Sequence, residues 1–138
     1  MLYRMIWGLL AVGIVSIPSP TDRQDTPVGS WRGQSTCLVR ASACHDEDSL
    51  YRVVAVAGSQ TKMTLTANKI VDGREINMGT SECSFSRDTH ILQCSLPNGA
   101  IIRFELKDDS LNGTMTLADG TAWRRIALRR VPAHSEPA

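Results

Sequence analysis

Residues 29–37, with the sequence GSWRGQSTC, form the stretch around which the rest of the chain is organised. We interpret them as the first strand of a small β-barrel. The residues that follow, up to 131, form short alternating runs separated by turn residues, a pattern typical of all-β proteins. Between residues 29 and 131 we find no apolar stripe with helical spacing. The sequence therefore predicts an all-β domain over residues 29–131.

Turn residues divide this region into eight predicted strands, the first four at about 29–38, 50–57, 62–71 and 74–85 and the last at 121–131. The Asp-Gly pair at 72–73 accepts the positive φ angles of a type I′ hairpin turn. Gly79 and Gly113 each indicate a bend or bulge within a strand. Eight strands joined by short turns form an antiparallel up-and-down meander. Pairing of the eighth strand with the first would close it into a barrel and remove its exposed edges.

The chain contains four cysteines, at positions 37, 44, 83 and 94. An even number in a short exported chain indicates two disulfides, for which three pairings are possible. We predict Cys37–Cys44 and Cys83–Cys94, because each pair is close in sequence. A turn at residues 87–90 would also place Cys83 opposite Cys94 on neighbouring strands.

The N-terminal residues indicate export. Arg4 precedes an uncharged apolar run at 6–17, which is too short to cross ~30 Å of hydrocarbon but has the layout of a signal peptide. We assign 1–19 to the signal peptide, 20–28 to a linker and 132–138 to a flexible tail. The expected location is secreted or periplasmic, with no stable membrane span after cleavage. The alternative is an uncleaved N-terminal anchor.

Composition restricts the function classes. The net charge is +1, which argues against a nucleic-acid partner. Aromatic residues make up 5% of the chain, so the core is expected to be mostly aliphatic. Alternation predicts an inward-facing set of Trp31, Val54, Val56, Met63, Leu65, Ile76, Met78, Phe85, Leu92, Leu96, Ile102, Phe104, Leu106, Met115, Leu117, Ile126 and Leu128.

The Gly-Ser-Trp start of the first strand and the Arg-rich last strand resemble the calycin superfamily, which includes lipocalins, fatty-acid-binding proteins and avidins. The chain looks most like the lipocalin-like domains of uncharacterised secreted bacterial proteins. This resemblance implies that a basic residue of the last strand packs across the Trp31 ring. We expect that residue to be Arg130, because it shares a side with the inward-facing Ile126 and Leu128.

Two charged stretches invite a functional interpretation. Residues 45–48, His-Asp-Glu-Asp, could hold a divalent cation, but neighbouring residues of an extended segment point to opposite sides, so we expect a solvated loop and no metal. The four arginines on the last strand, at 124, 125, 129 and 130, favour solubility over a binding patch. No hydrolytic triad or nucleophile elbow assembles from the sequence. We therefore expect neither an enzyme nor a cofactor.

Two non-enzymatic functions remain. The first is a binding module that holds a small apolar ligand against Met63, Met78, Phe104 and Met115. The second is an interaction protein, such as an inhibitor of an extracytoplasmic enzyme, that contacts its target through the disulfide-closed loop 39–48. An interior large enough for a ligand, ~300 Å³ or more, would favour the first function, and a solidly packed interior the second.

Overall fold

The computed structural model describes residues 12–14, 25–40 and 43–133. The predicted signal peptide lies outside the described residues except for 12–14, as do residues 20–24 of the linker and 134–138 of the tail. Eight strands follow one another: β1 Gly29–Cys37, β2 Glu47–Ala55, β3 Lys62–Val71, β4 Arg74–Ser86, β5 Ile91–Ser95, β6 Ile101–Lys107, β7 Ser110–Thr116 and β8 Ala122–Arg130.

The strands form a closed antiparallel barrel, in which each strand pairs with its neighbours in sequence and β8 pairs with β1. This confirms the predicted eight-stranded up-and-down architecture. At the seam Trp31 lies opposite Arg130, and Gly33 lies opposite Leu128. The Val131 amide donates to the Ser30 carbonyl at 2.8 Å and extends the pairing by one step. This architecture is compatible with a lipocalin-like fold.

Both predicted disulfides are present, Cys37–Cys44 and Cys83–Cys94. Cys83 and Cys94 are directly opposite one another on β4 and β5, as the position of the 87–90 turn predicted. Their side chains are buried inside the barrel. The Cys37–Cys44 bridge closes the β1–β2 loop at one end of the barrel.

Glycine has a different structural role at each of the two positions where a bulge was predicted. On β4, Ala67 of β3 pairs with Gly79 and Asn68 pairs with Asn77, so Met78 is an extra, bulged residue. Gly79, with φ of 123°, adopts a backbone conformation that favours glycine. The expectation for Gly113 was wrong: it pairs in regular register with Phe104. A Cβ there would lie 2.5 Å from the Arg103 carbonyl oxygen and 2.7 Å from a Phe104 ring carbon, so the close approach of β6 requires glycine.

The core lies inside the barrel and is mostly aliphatic, as expected. Its fully buried members include Trp31, Leu65, Leu92, Phe104, Leu111, Ile126 and Leu128. The predicted phase of β2 was wrong, since Val54 is 60% exposed and Val56 is also exposed. Tyr51 and Val53 point inward instead, because Tyr51 of β2 pairs with the inward-facing Trp31 of β1. The run 53–57 is apolar throughout, so its own alternation does not fix a phase.

The chain segment that enters β1 closes one end of the barrel. The guanidinium carbon of Arg130 lies 4.4 Å from the Trp31 ring centroid, as the resemblance implied. Arg130 also donates to the carbonyls of Val28, at 2.9 Å, and Thr26, at 2.8 Å. The Trp31 indole N–H donates to the carbonyl of the buried Pro27 at 2.8 Å. These contacts fix the entering segment across the end of the barrel where β8 finishes.

We predict that Arg130→Met lowers the free energy of unfolding by about 2–4 kcal/mol. The substitution removes a cation–π contact and the charged donor to two carbonyls. Arg129→Met is the matched control, because Arg129 is an exposed neighbour on the same strand and should change stability by less than about 0.5 kcal/mol. Urea titration measures both values, and equal effects of the two substitutions would contradict this assignment.

Candidate functional site

The other end of the barrel contains a partly enclosed cavity. The β1–β2, β3–β4, β5–β6 and β7–β8 turns all lie at this end, because the strands alternate in direction. The cavity has a volume of about 160 Å³. We call it the mouth cavity; its lining is Glu47, Tyr51, Leu65, Ala67, Met78, Gly79, Thr80, Ser81, Leu96, Pro97, Ile102, Met115 and Arg124.

The structure separates the four predicted ligand-binding residues into two pairs. Met78 and Met115 line the mouth cavity, although Met78 is 52% exposed rather than fully inward-facing. Ile76, also predicted to face inward, is 43% exposed. Met63 and Phe104 lie deeper, buried in the core and outside the cavity lining. Of the four predicted residues, the mouth cavity therefore brings together Met78 and Met115.

An aromatic pair lies at the inner boundary of the mouth cavity. The rings of Tyr51 and Phe104 meet edge to face, with their centroids 6.4 Å apart. Tyr51 lines the cavity, whereas Phe104 fills the barrel interior behind it. Edge-to-face contact is a favoured geometry for aromatic rings. This pair connects the cavity wall to the buried core.

A buried ion pair lies in the wall of the mouth cavity. Arg124 Nη2 is 3.5 Å from Glu47 Oε1, and both side chains are largely buried. Arg124 Nη1 also donates to the His45 carbonyl at 2.8 Å and to Ser35 Oγ at 3.3 Å. Arg124 thereby links the β1–β2 loop to the barrel wall. The cavity combines apolar surface with one fixed pair of opposite charges.

Neither member of this ion pair was predicted from the sequence. Arg124 was grouped with the solubilising arginines of β8, and Glu47 with the solvated acidic run. The available signal was parity: Arg124 is two residues before Ile126 on the same strand, so it faces the interior as Ile126 does. Glu47 likewise shares a face with Tyr51 once the phase of β2 is known.

The acidic run at 45–48 is divided among three environments. Asp46 accepts a hydrogen bond from the Cys37 amide at 2.8 Å, and Glu47 points inward to Arg124. Asp48 points outward to Arg32, with an N–O distance of 3.1 Å. The strand begins at Glu47, earlier than predicted, so adjacent side chains diverge. Among the described residues no group of three or more His, Cys, Asp or Glu side chains could hold a metal ion.

Larger depressions occur on the outer surface of the barrel. One, of about 480 Å³, is lined by residues of β3, β4 and β5, such as Lys62, Glu82 and Gln93, together with Val56. Another, of about 340 Å³, includes Arg103 and Arg125. Both lie outside the wall and open to solvent. The mouth cavity is smaller, but its enclosure and its convergence of polar and apolar groups make it the better candidate site.

Burial in the barrel raises the pKa of the Tyr51 hydroxyl above its ordinary value of 10.0. The Glu47 carboxylate adds to the rise, and the Arg124 charge opposes it. As the pH rises, the unfolded chain therefore loses this proton before the folded one does. The stability contributed by the protonated hydroxyl is complete below pH 10 and is lost as the pH rises toward the folded-state pKa.

We predict that Tyr51→Phe flattens the alkaline limb of the stability profile. The wild-type free energy of unfolding should fall more steeply than that of the variant above about pH 10, because only the wild type carries this hydroxyl. Denaturant titrations at a series of pH values measure both profiles. Parallel profiles through this range would contradict the burial of the hydroxyl.

Comparison with protein-family models gives no match, and comparison with curated proteins gives none either. The described residues include no helix that is long and apolar enough to cross a membrane.

Proposed function

We propose that this chain is an exported, non-enzymatic, lipocalin-like binding protein that takes a small, largely apolar group into its open end. The observation that supports this most is the mouth cavity, which is enclosed on several sides and lined by Met78, Leu96, Ile102 and Met115 among other residues. Methionine side chains adapt to differently shaped apolar partners, so two of them at the opening suit a binding role.

The volume of the cavity limits the occupant. At about 160 Å³ the mouth cavity is smaller than the ~300 Å³ that drug-sized ligand sites usually need. It is close to the ~150 Å³ apolar cavity that binds benzene in an engineered protein. The proposed occupant is therefore a single ring or a short branched chain, rather than a fatty acid, a haem or a quinone.

The wall chemistry adds a preference for an occupant with one polar end. Arg124 and Glu47 offer a donor and an acceptor side by side, already held in place by the β1–β2 loop. A hydroxyl or amide can hydrogen-bond to either group without leaving a buried charge unpaired. A fully charged occupant would have to break the pair, which is costly when both members are buried.

Export and family membership belong to the same proposal. The two disulfides are consistent with an oxidising extracytoplasmic compartment. The signal-like sequence at 1–19 would direct the chain to the periplasm or the exterior. The Trp31–Arg130 contact at the barrel seam supports kinship with the calycins.

We predict that toluene, indole and phenol raise the thermal unfolding midpoint at millimolar concentration, whereas palmitate does not. At ten times its Kd a ligand stabilises the folded state by about 1.4 kcal/mol, which corresponds to several degrees for a domain of this size. Ala67→Leu should abolish the shift, because Ala67 lines the cavity and a larger side chain fills it. Ala127→Leu, at an exposed site on β8, is the matched control.

Two results would contradict the proposal. One is a palmitate shift that persists in Ala67→Leu, which would place an apolar site elsewhere. The other is the absence of a shift with all three small probes in the wild type and Ala127→Leu. Fluorescence of indole on titration provides a second readout that does not depend on unfolding.

A second candidate function is supported by the construction of the β1–β2 loop. This loop is tied by the Cys37–Cys44 disulfide, by the Asp46 carboxylate on the Cys37 amide and by Arg124 on the His45 carbonyl. Such restraint lowers the entropic cost of presenting a loop to a partner. Inhibition of an extracytoplasmic protease or lysozyme that is lost in a Cys37→Ser, Cys44→Ser variant would favour this alternative.

A further inference from the structure

Strand β4 is much longer than β5, the strand that pairs with it on one side. It spans Arg74–Ser86, whereas β5 pairs with it only from Glu82 to Ser86. On the other side, the whole length of β3 pairs with β4, from Ser84 to Arg74 of β4. Among the described residues, 74–81 therefore form strand pairs with β3 alone. We call this segment the free edge of β4.

The alternation of hydrogen bonds identifies which main-chain groups the free edge presents. The Phe85 amide donates to the Thr61 carbonyl, on the β3 side, at 2.7 Å, so alternate residues such as Glu82 and Thr80 face the β5 side. In the two-residue hairpin at 72–73, the flanking Val71 and Arg74 bond to one another. Between this hairpin and the bulge, alternation from Arg74 therefore directs the main-chain N–H and C=O groups of Glu75 and Asn77 away from β3.

The free edge is accessible and largely uncharged. Every residue from 74 to 80 is exposed. Its two charged residues, Arg74 and Glu75, lie at the hairpin end, and the segment 76–81 reads INMGTS. Proteins usually protect such an edge with charges, proline or a covering element, because an unpaired edge is a template for another strand. Within the described part of the chain, the bulge at Met78 is all that interrupts this edge.

The free edge also forms one side of the mouth cavity. Met78, Gly79, Thr80 and Ser81 line the cavity on this side, and Leu96 and Pro97 of the β5–β6 turn lie across from them. A strand laid along the edge would pass over the cavity opening. Because the turn flanks the opening, a single extended peptide fits this position better than the edge of a second folded copy.

We propose that the free edge of β4 binds an extended segment of another protein by strand addition, with one apolar side chain of that segment in the mouth cavity. Main-chain bonds to Asn77 and Thr80 supply affinity, and the cavity selects the side chain. Its volume accepts a side chain about as large as that of leucine or phenylalanine. The binding of a peptide side chain in the cavity rests on the proposed function of the cavity, whereas the strand pairing does not.

A phage-displayed library of random dodecapeptides, selected on the disulfide-bonded protein, provides the probe. We expect enriched sequences to share one apolar position, and the synthesised peptide to slow amide hydrogen exchange at Asn77 and Thr80. Methylation of alternate peptide nitrogens, on the edge that faces β4, should lower the affinity at least about tenfold. Methylation on the opposite edge of the same peptide is the matched control. This comparison leaves the protein unchanged.

Variants of the protein provide a second, independent test. Thr80→Pro removes the outward main-chain donor and should weaken the peptide at least about tenfold, whereas Thr80→Val keeps that donor and should not. Ala67→Leu fills the cavity and should weaken the peptide while leaving the protection of Asn77 and Thr80 intact. Unchanged peptide affinity in Ala67→Leu, together with lost toluene binding, would overturn the cavity role alone.

Several results would overturn the strand-addition proposal. These are no enriched peptide, protection confined to the 39–48 loop, or equal effects of methylation on the two peptide edges. Slow amide hydrogen exchange at Asn77 and Thr80 in the absence of peptide would also overturn the proposal. If that protection rises with protein concentration, the occupant is a second copy, and if it does not, the occupant is a segment of the same chain.

Discussion

The contact between the Arg130 guanidinium and the Trp31 indole joins the two ends of the domain. It lies at the seam where β8 meets β1, and the same guanidinium holds the entering segment through the Thr26 and Val28 carbonyls. A sheet of eight strands that did not close would expose two long edges. Closure at this point therefore fixes the barrel and seals one end, and the mouth cavity lies at the other end.

The register set at the seam extends to the opposite end of the barrel. With Arg130 facing inward, period-two alternation directs Leu128, Ile126 and Arg124 inward as well. Arg124 thereby reaches Glu47 and the β1–β2 loop at the mouth. Arg130 closes one end of the barrel, and Arg124 of the same strand holds the β1–β2 loop at the other end. Buried side chains pack between them, and the two proposed binding sites lie at the mouth and on the free edge beside it.

Sequence reasoning succeeded where a local rule determines the structure. The Asp-Gly turn at 72–73 and the Cys83–Cys94 pair each follow from a short pattern. The Trp31–Arg130 contact was implied by the resemblance to the calycins, and alternation along β8 selected Arg130. Sequence reasoning failed where the outcome depends on a neighbouring strand: the apolar run 53–57 takes its phase from the Trp31–Tyr51 pairing. Likewise, the free edge of β4 exists because β5 is short, which the residues of β4 do not encode.

A double-mutant cycle on the seam contact tests this account most directly. Urea titrations of the wild type, Trp31→Leu, Arg130→Met and the double variant give the coupling free energy between the two side chains. We predict a favourable coupling of about 1 kcal/mol or more, because the cation and the indole stabilise one another at a partly desolvated site. Effects that add to within about 0.3–0.5 kcal/mol would contradict it.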